Sequence, residues 1–164
     1  MNAMVTAPIP DPKPVRDMLG DLLGRQVEVR PGEPLSPEDT ELTTMAVYVD
    51  DTLTMRLVGV ADLPFAAYAG AAIGLVPPGG AEIAIEERSM PKTVQENFYE
   101  VLNICAALFN AEGAPHVKLH AVHFPGEHVP PQAASLACVL GRRLDLEVDI
   151  AGYGTGRLSF VGMP

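Results

Sequence analysis

The sequence predicts one α/β (α+β) domain with a largely antiparallel sheet and helices packed on it. Two observations carry this: strand-like runs joined by tight turns occur twice, at 42–60 and 144–162, and helical periodicity marks 15–23 and 93–111. A third is length, since 164 residues are enough to bury one core.

Residues 1–13 include three prolines and are expected to be a flexible N-terminal segment, with the domain spanning 14–164. Val15, Met18, Leu19, Leu22 and Leu23 then fall on one helical face, and Gly24 is a natural stop. Gln26–Val29 alternates like a strand, and 31–40 reads as a polar loop. Leu42–Val49 and Thr52–Val60 flank Asp50-Asp51 as a hairpin. Leu63–Leu75 is a second helix with Pro64 near its start, ended by Pro77-Pro78-Gly79-Gly80. Thr93–Ala111 is the longest helical pattern, stopped by Gly113 and Pro115. His116–Phe124 is a strand and Gln132–Leu140 a short helix or irregular crossing. Leu144–Ala151 and Arg157–Gly162 close the chain as a hairpin across Gly152-Tyr-Gly-Thr-Gly156. No repeat is visible in the sequence, although two helix-plus-hairpin halves are compatible with this order.

Composition narrows the function. The hydrophobic share of 48% and charged share of 20% are those of a globular protein. A formal charge of −10 opposes binding to nucleic acid or to an anionic membrane, and favours a partner surface bearing Lys or Arg. No signal peptide and no long apolar span is read, and Cys105 and Cys138 are expected to be free buried thiols, with a single disulfide the alternative, so a cytoplasmic location is expected.

On a helical wheel with Phe98 at zero, Val101, Leu102, Cys105, Leu108 and Phe109 lie within roughly 80° and form the buried face. Glu96, Glu100 and Asn103 fall at about 160°, 200° and 140°, with Ala107 near 180°. The result is a flat acidic-and-amide stripe, a pattern that inert amphipathic helices also show.

The text Glu96-Asn-Phe-Tyr-Glu100-Val-Leu-Asn103-Ile-Cys-Ala-Ala107, with Pro125 downstream, resembles the motif of CheX, CheC and FliY-type phosphatases. Those proteins carry an acidic residue or serine, then three residues, Glu, two residues, Asn, and a later proline. The element order over about residues 14–163 is also similar to CheX. Two positions depart: Glu96 stands where Asp or Ser is usual, and Ala107 where glycine is frequent.

The resemblance implies a phosphatase of a phosphorylated CheY-like response regulator. Asn103 and Glu100 would be catalytic: Asn103 orients water, and Glu100 pairs with the regulator's lysine. Glu96, Ala107 and Pro125 would contact the partner. No cofactor of its own is implied, magnesium being carried by the regulator, and a homodimer is compatible with the family. The alternatives are a non-catalytic CheX-like binding module and an unrelated small-molecule-binding α/β domain.

Other signals are weaker. His116, His120, His123 and His128 cluster, but by strand alternation His116 and His120 share a face and His123 points away. No carboxylate or cysteine joins them at a ligand spacing, so no metal is expected. The glycine-rich turn lacks the lysine of a phosphate-binding loop.

Overall fold

The computed structural model describes residues 6–35 and 42–164. Among these, α1 (Pro12–Leu23) leads to β1 (Val27–Pro31), β2 (Thr44–Val49), β3 (Met55–Ala61), α2 (Leu63–Ile73), α3 (Pro78–Glu86) and α4 (Lys92–Cys105). A 3₁₀ turn (Ala106–Phe109) follows, then β4 (Lys118–His123), α5 (Pro131–Ala137), β5 (Arg143–Ile150) and β6 (Gly154–Gly162). The strands form one six-stranded sheet in the order β1-β5-β6-β3-β2-β4. Every adjacent pair is antiparallel. Hairpins β2–β3 and β5–β6 meet at the centre, where Val58 faces Val161, and β1 and β4 lie at the edges. The order is therefore symmetric: each half is a helix, an edge strand and a hairpin, and each edge strand pairs with the other half's hairpin.

Local chemistry sets the element ends. α1 begins at Pro12, an early helical position where no N–H is needed. It stops at Gly24, whose φ of 64° is the left-handed geometry of a C-cap. This places the helix start two residues before the expected domain boundary. Ahead of it, Ala7 is buried and its carbonyl accepts from the Arg142 guanidinium. Residues 1–5 and 36–41, including the second half of the expected 31–40 loop, lie outside the described residues.

Asp62 caps α2, accepting from the Phe65 N–H at 2.9 Å and from the Arg157 N–H of β6 at 3.0 Å. α2 is buried from Leu63 to Ala72, except for half-buried Pro64, as an all-round apolar helix must be. It contacts β6 on one side and α4 on another. Its small residues permit that approach: a Cβ on Gly70 would sit 2.8 Å from the Val94 carbonyl oxygen. Pro77-Pro78-Gly79-Gly80, expected to break the chain, instead opens α3. Pro78 occupies its first turn, and Ala81 and Ala84 are buried.

The sheet has two unequal faces. On the front, α1, α2 and α4 cover a core that includes Tyr48, Leu57, Phe98, Phe109, Leu146 and Phe160. On the back, α5 and Leu35 cover Met45, Val47, Val49, Val58, Val60 and Val161. Nearer β1, alternation leaves the back face to Arg143, Asp145 and Glu147; Arg143 and Asp145 pair at 2.9 Å.

Two further readings change. The β2–β4 register shifts between Val47 and Tyr48, inserting His120 into β4 as a bulge. The alternation breaks there, so His120 and His123 line one back-face groove with Val47, Met55 and Gln132. His116, before β4, lies 3.9 Å from Asp51. Of the cysteines, both free, Cys105 is buried but Cys138 is exposed.

The exposed face of α4 and its groove

The site helix is held from beneath by several independent contacts. Val94, Phe98, Val101, Leu102 and Cys105 are buried, and Phe98 meets Phe65 of α2 edge-to-face at 5.7 Å. At Ala106 the helix tightens into a 3₁₀ turn, whose backbone N–H turns to the Asn103 and Ile104 carbonyls. The hydroxyl of buried Tyr48 donates to the Leu102 carbonyl at 2.7 Å. Phe109, ending that turn, packs edge-on against Tyr48 and Phe160 at 5.0 and 4.9 Å. Beyond it the Asn110 side chain donates to the Val117 carbonyl and accepts from its N–H, tying the turn to the approach to β4.

Burial fixes two groups chemically. The Tyr48 hydroxyl is pushed well above its ordinary pKa, mainly by desolvation, and so remains a donor. The Cys105 thiol is pushed up to about 12 by the same cause, which excludes it as a nucleophile.

The outer face carries Glu96, Glu100 and Asn103, all exposed. No side-chain hydrogen bond or ion pair joins these three to any other described residue. Asn103 lies three residues beyond Glu100, so their side chains are neighbours on one surface. The helix therefore presents a carboxylate and a carboxamide together, unengaged and on a rigid base. That pair can accept from a cationic donor, and can at once donate to and accept from a polar group between the proteins.

Ala107 is exposed too, but it lies in the 3₁₀ turn, so its wheel position near 180° does not apply. Pro125 is half-buried in the loop after β4. Its neighbour Phe124 lines a groove of about 230 Å³ with Lys92, Gln95, Glu96 and Tyr99, placing the end of β4 beside the Glu96 end of the stripe. Sequence reasoning missed this groove. Tyr99 offered a faint signal, an aromatic at about 100° on the wheel, bordering the stripe. Phe124 offered none, because only the fold brings it there.

The chain shares its fold with solved structures of CheX, FliY and the FliM middle domain. The similarity covers nearly the whole chain. It matches FliM in a FliM–SpeE complex from H. pylori with a TM-score of 0.61 and 8% identity, over 92% of this chain and 80% of that one. CheX from Vibrio vulnificus gives 0.53 at 10% identity, covering 90% and 92%. FliY from Thermotoga maritima gives 0.52 at 14% identity, covering 90% and 81%. No protein-family model matches the sequence, and no curated protein matches it by sequence. Among the described residues, no helix is long and apolar enough to cross a membrane, and no group of three or more His, Cys, Asp or Glu side chains could hold a metal.

Proposed function

We propose that this chain is a phosphatase of a phosphorylated CheY-like response regulator, acting through Asn103 and Glu100. The observation that carries the reading is the exposed, unengaged pairing of these two side chains on α4. Their spacing is that of the phosphatase motif, within a fold shared with CheX and FliY.

Hydrolysis of an aspartyl phosphate needs water held in line with the phosphorus–oxygen bond to the aspartate. The Asn103 carboxamide oxygen accepts one hydrogen of that water, while its NH₂ donates to a phosphoryl oxygen. Water adds to phosphorus, the bond to the aspartyl oxygen breaks, and the regulator's carboxylate and inorganic phosphate result. The regulator supplies magnesium and a lysine, and this chain supplies orientation. Glu100 pairs with that lysine and fixes register, Glu96 accepts hydrogen bonds at the margin, and Ala107 and Pro125 border the contact. A cytoplasmic site of action and a homodimer belong to the same proposal.

Asn103→Ala is expected to abolish accelerated phosphate release while leaving circular dichroism unchanged, and near-normal turnover by this variant refutes the water-orienting role. Glu100→Ala is expected to raise KM about tenfold or more, the cost of leaving the partner's lysine unpaired at a desolvated contact.

A second reading has its own support. FliM, which shares the fold, has been crystallised in complexes with SpeE and with FliG, so a binding module without phosphatase activity fits as well. Regulator binding without any Asn103-dependent phosphate release would select that reading.

A further inference from the structure

We infer that the groove between Tyr99 and Phe124 sets partner choice, by receiving one large apolar side chain of the regulator that has a lysine or arginine beside it. The inference rests on the proposed function and specifies which regulator surface the α4 face accepts.

The groove is the apolar continuation of the polar stripe. Tyr99 lies three residues after Glu96 and four before Asn103, so its ring is one turn from each on the same helix surface. It is 41% exposed, an unusual cost for an aromatic on a helix whose inner face is otherwise well buried. Opposite it stands Phe124, half-buried against the main core and therefore a fixed wall. Lys92 and Gln95 complete the lining, with Glu96 on the rim. A volume of about 230 Å³ suits one aliphatic or aromatic side chain.

Charge selects the occupant's surroundings. Glu96 on the rim makes no ion pair with any other described residue, on a chain of net charge −10, while Glu100 one turn further is assigned to the receiver's active-site lysine. A basic residue next to the inserted side chain is favoured, and an acidic one there is repelled. Among the described residues Lys92 is the one cation lining the groove, so the basic residue belongs at the Glu96 end.

Calorimetry with a beryllofluoride-charged, magnesium-loaded CheY-like receiver domain tests this, paired with phosphate release from the same domain charged by acetyl phosphate. Tyr99→Ala is expected to weaken binding about tenfold, as loss of a central aromatic anchor does. Tyr99→Phe keeps the ring and is expected to bind as the unmodified chain does. Replacing the receiver's basic residue beside the inserted side chain by glutamate is expected to weaken binding further.

Asn103→Ala separates the two proposals, because it should lose phosphate release and keep binding within about twofold. Unchanged affinity of Tyr99→Ala overturns the groove and leaves the catalytic reading standing. Weakened binding of Tyr99→Ala with no phosphate release by any variant supports the groove and overturns the catalytic reading. Failure of the unmodified chain to bind any charged receiver overturns both.

Discussion

Tyr48→Phe isolates one buried hydrogen bond beneath the site. The substitution removes only a hydroxyl, so the ring keeps its edge contact with Phe109. What is lost is the 2.7 Å bond to the Leu102 carbonyl. The Ala106 N–H has turned to the Asn103 and Ile104 carbonyls, so the backbone supplies no substitute there. Tyr48 and Leu102 are 0% and 2% exposed, which keeps water from replacing the donor. A buried carbonyl left unpaired costs about 1–3 kcal/mol. At 2–4 °C per kcal/mol for a domain of this size, the melting temperature should fall by roughly 4–8 °C for a central loss of about 2 kcal/mol. Thermal unfolding followed by circular dichroism measures this. A shift under 1 °C refutes the claim that the Leu102 carbonyl depends on Tyr48. Since Asn103 follows Leu102 directly, phosphate release should fall as well, through kcat more than KM.

Cys138 should react with a thiol reagent in the native state at pH 8, while Cys105, pushed up to about 12 by burial, should stay silent. One thiol per native chain and two per denatured chain are expected, and two in the native state would contradict the burial of Cys105. Asp50 makes the chain acid-labile in a defined direction. Its carboxylate accepts from the Thr52 hydroxyl, the Thr54 and Thr52 N–H groups and the Arg56 guanidinium, which holds its pKa below the ordinary value. The stabilisation is complete above the unfolded pKa of about 4 and is lost as pH falls through the lower folded value. Asp50→Asn should therefore lower the melting temperature at pH 7 and flatten its dependence on pH below about 4, and a parallel downward shift at every pH would contradict the linkage.

Legibility in the sequence followed how local each determinant is. Both hairpins were readable, because alternation and turn residues are encoded within a few residues, although Gly154–Gly156, expected in the second turn, are the first residues of β6 and pair with β5. The exposed stripe was readable because Glu96, Glu100 and Asn103 lie on one regular helix. Where regularity fails, the wheel fails: the change to 3₁₀ at Ala106 and the bulge at His120 altered the positions of Ala107 and the histidines. α3 was hidden because Pro-Pro-Gly-Gly is a breaker in most settings but fits a helix start. The wall formed by Phe124 is a tertiary fact, beyond any local pattern.

The symmetry of the sheet shows what α4 adds to bare acidity. α1 and α4 each precede an edge strand, and their sequences share a spacing that is faint without the fold. Lys13, Val15, Asp17, Leu19, Asp21 and Leu23 correspond to Lys92, Val94, Glu96, Phe98, Glu100 and Leu102. Val15, Leu19 and Leu23 are buried as their counterparts are, so the two outer faces present acidic side chains in the same pattern. The correspondence ends at Asn103, the residue proposed to orient water. Opposite Asn103 stands Gly24, which has no side chain and ends α1 in a left-handed conformation. Asp17 is already held by Arg16 at 3.0 Å and by Lys13 at 3.6 Å, whereas Glu96 and Glu100 are not engaged. α1 therefore repeats the acidic spacing within the same chain but lacks the amide and has one carboxylate already paired. If carboxylates at this spacing sufficed, Asn103→Ala would retain part of its activity through Glu96 and Glu100, and α1 would act too. Loss of all accelerated hydrolysis in Asn103→Ala, with Glu100 intact, would assign the chemistry to the amide and leave the carboxylates to docking.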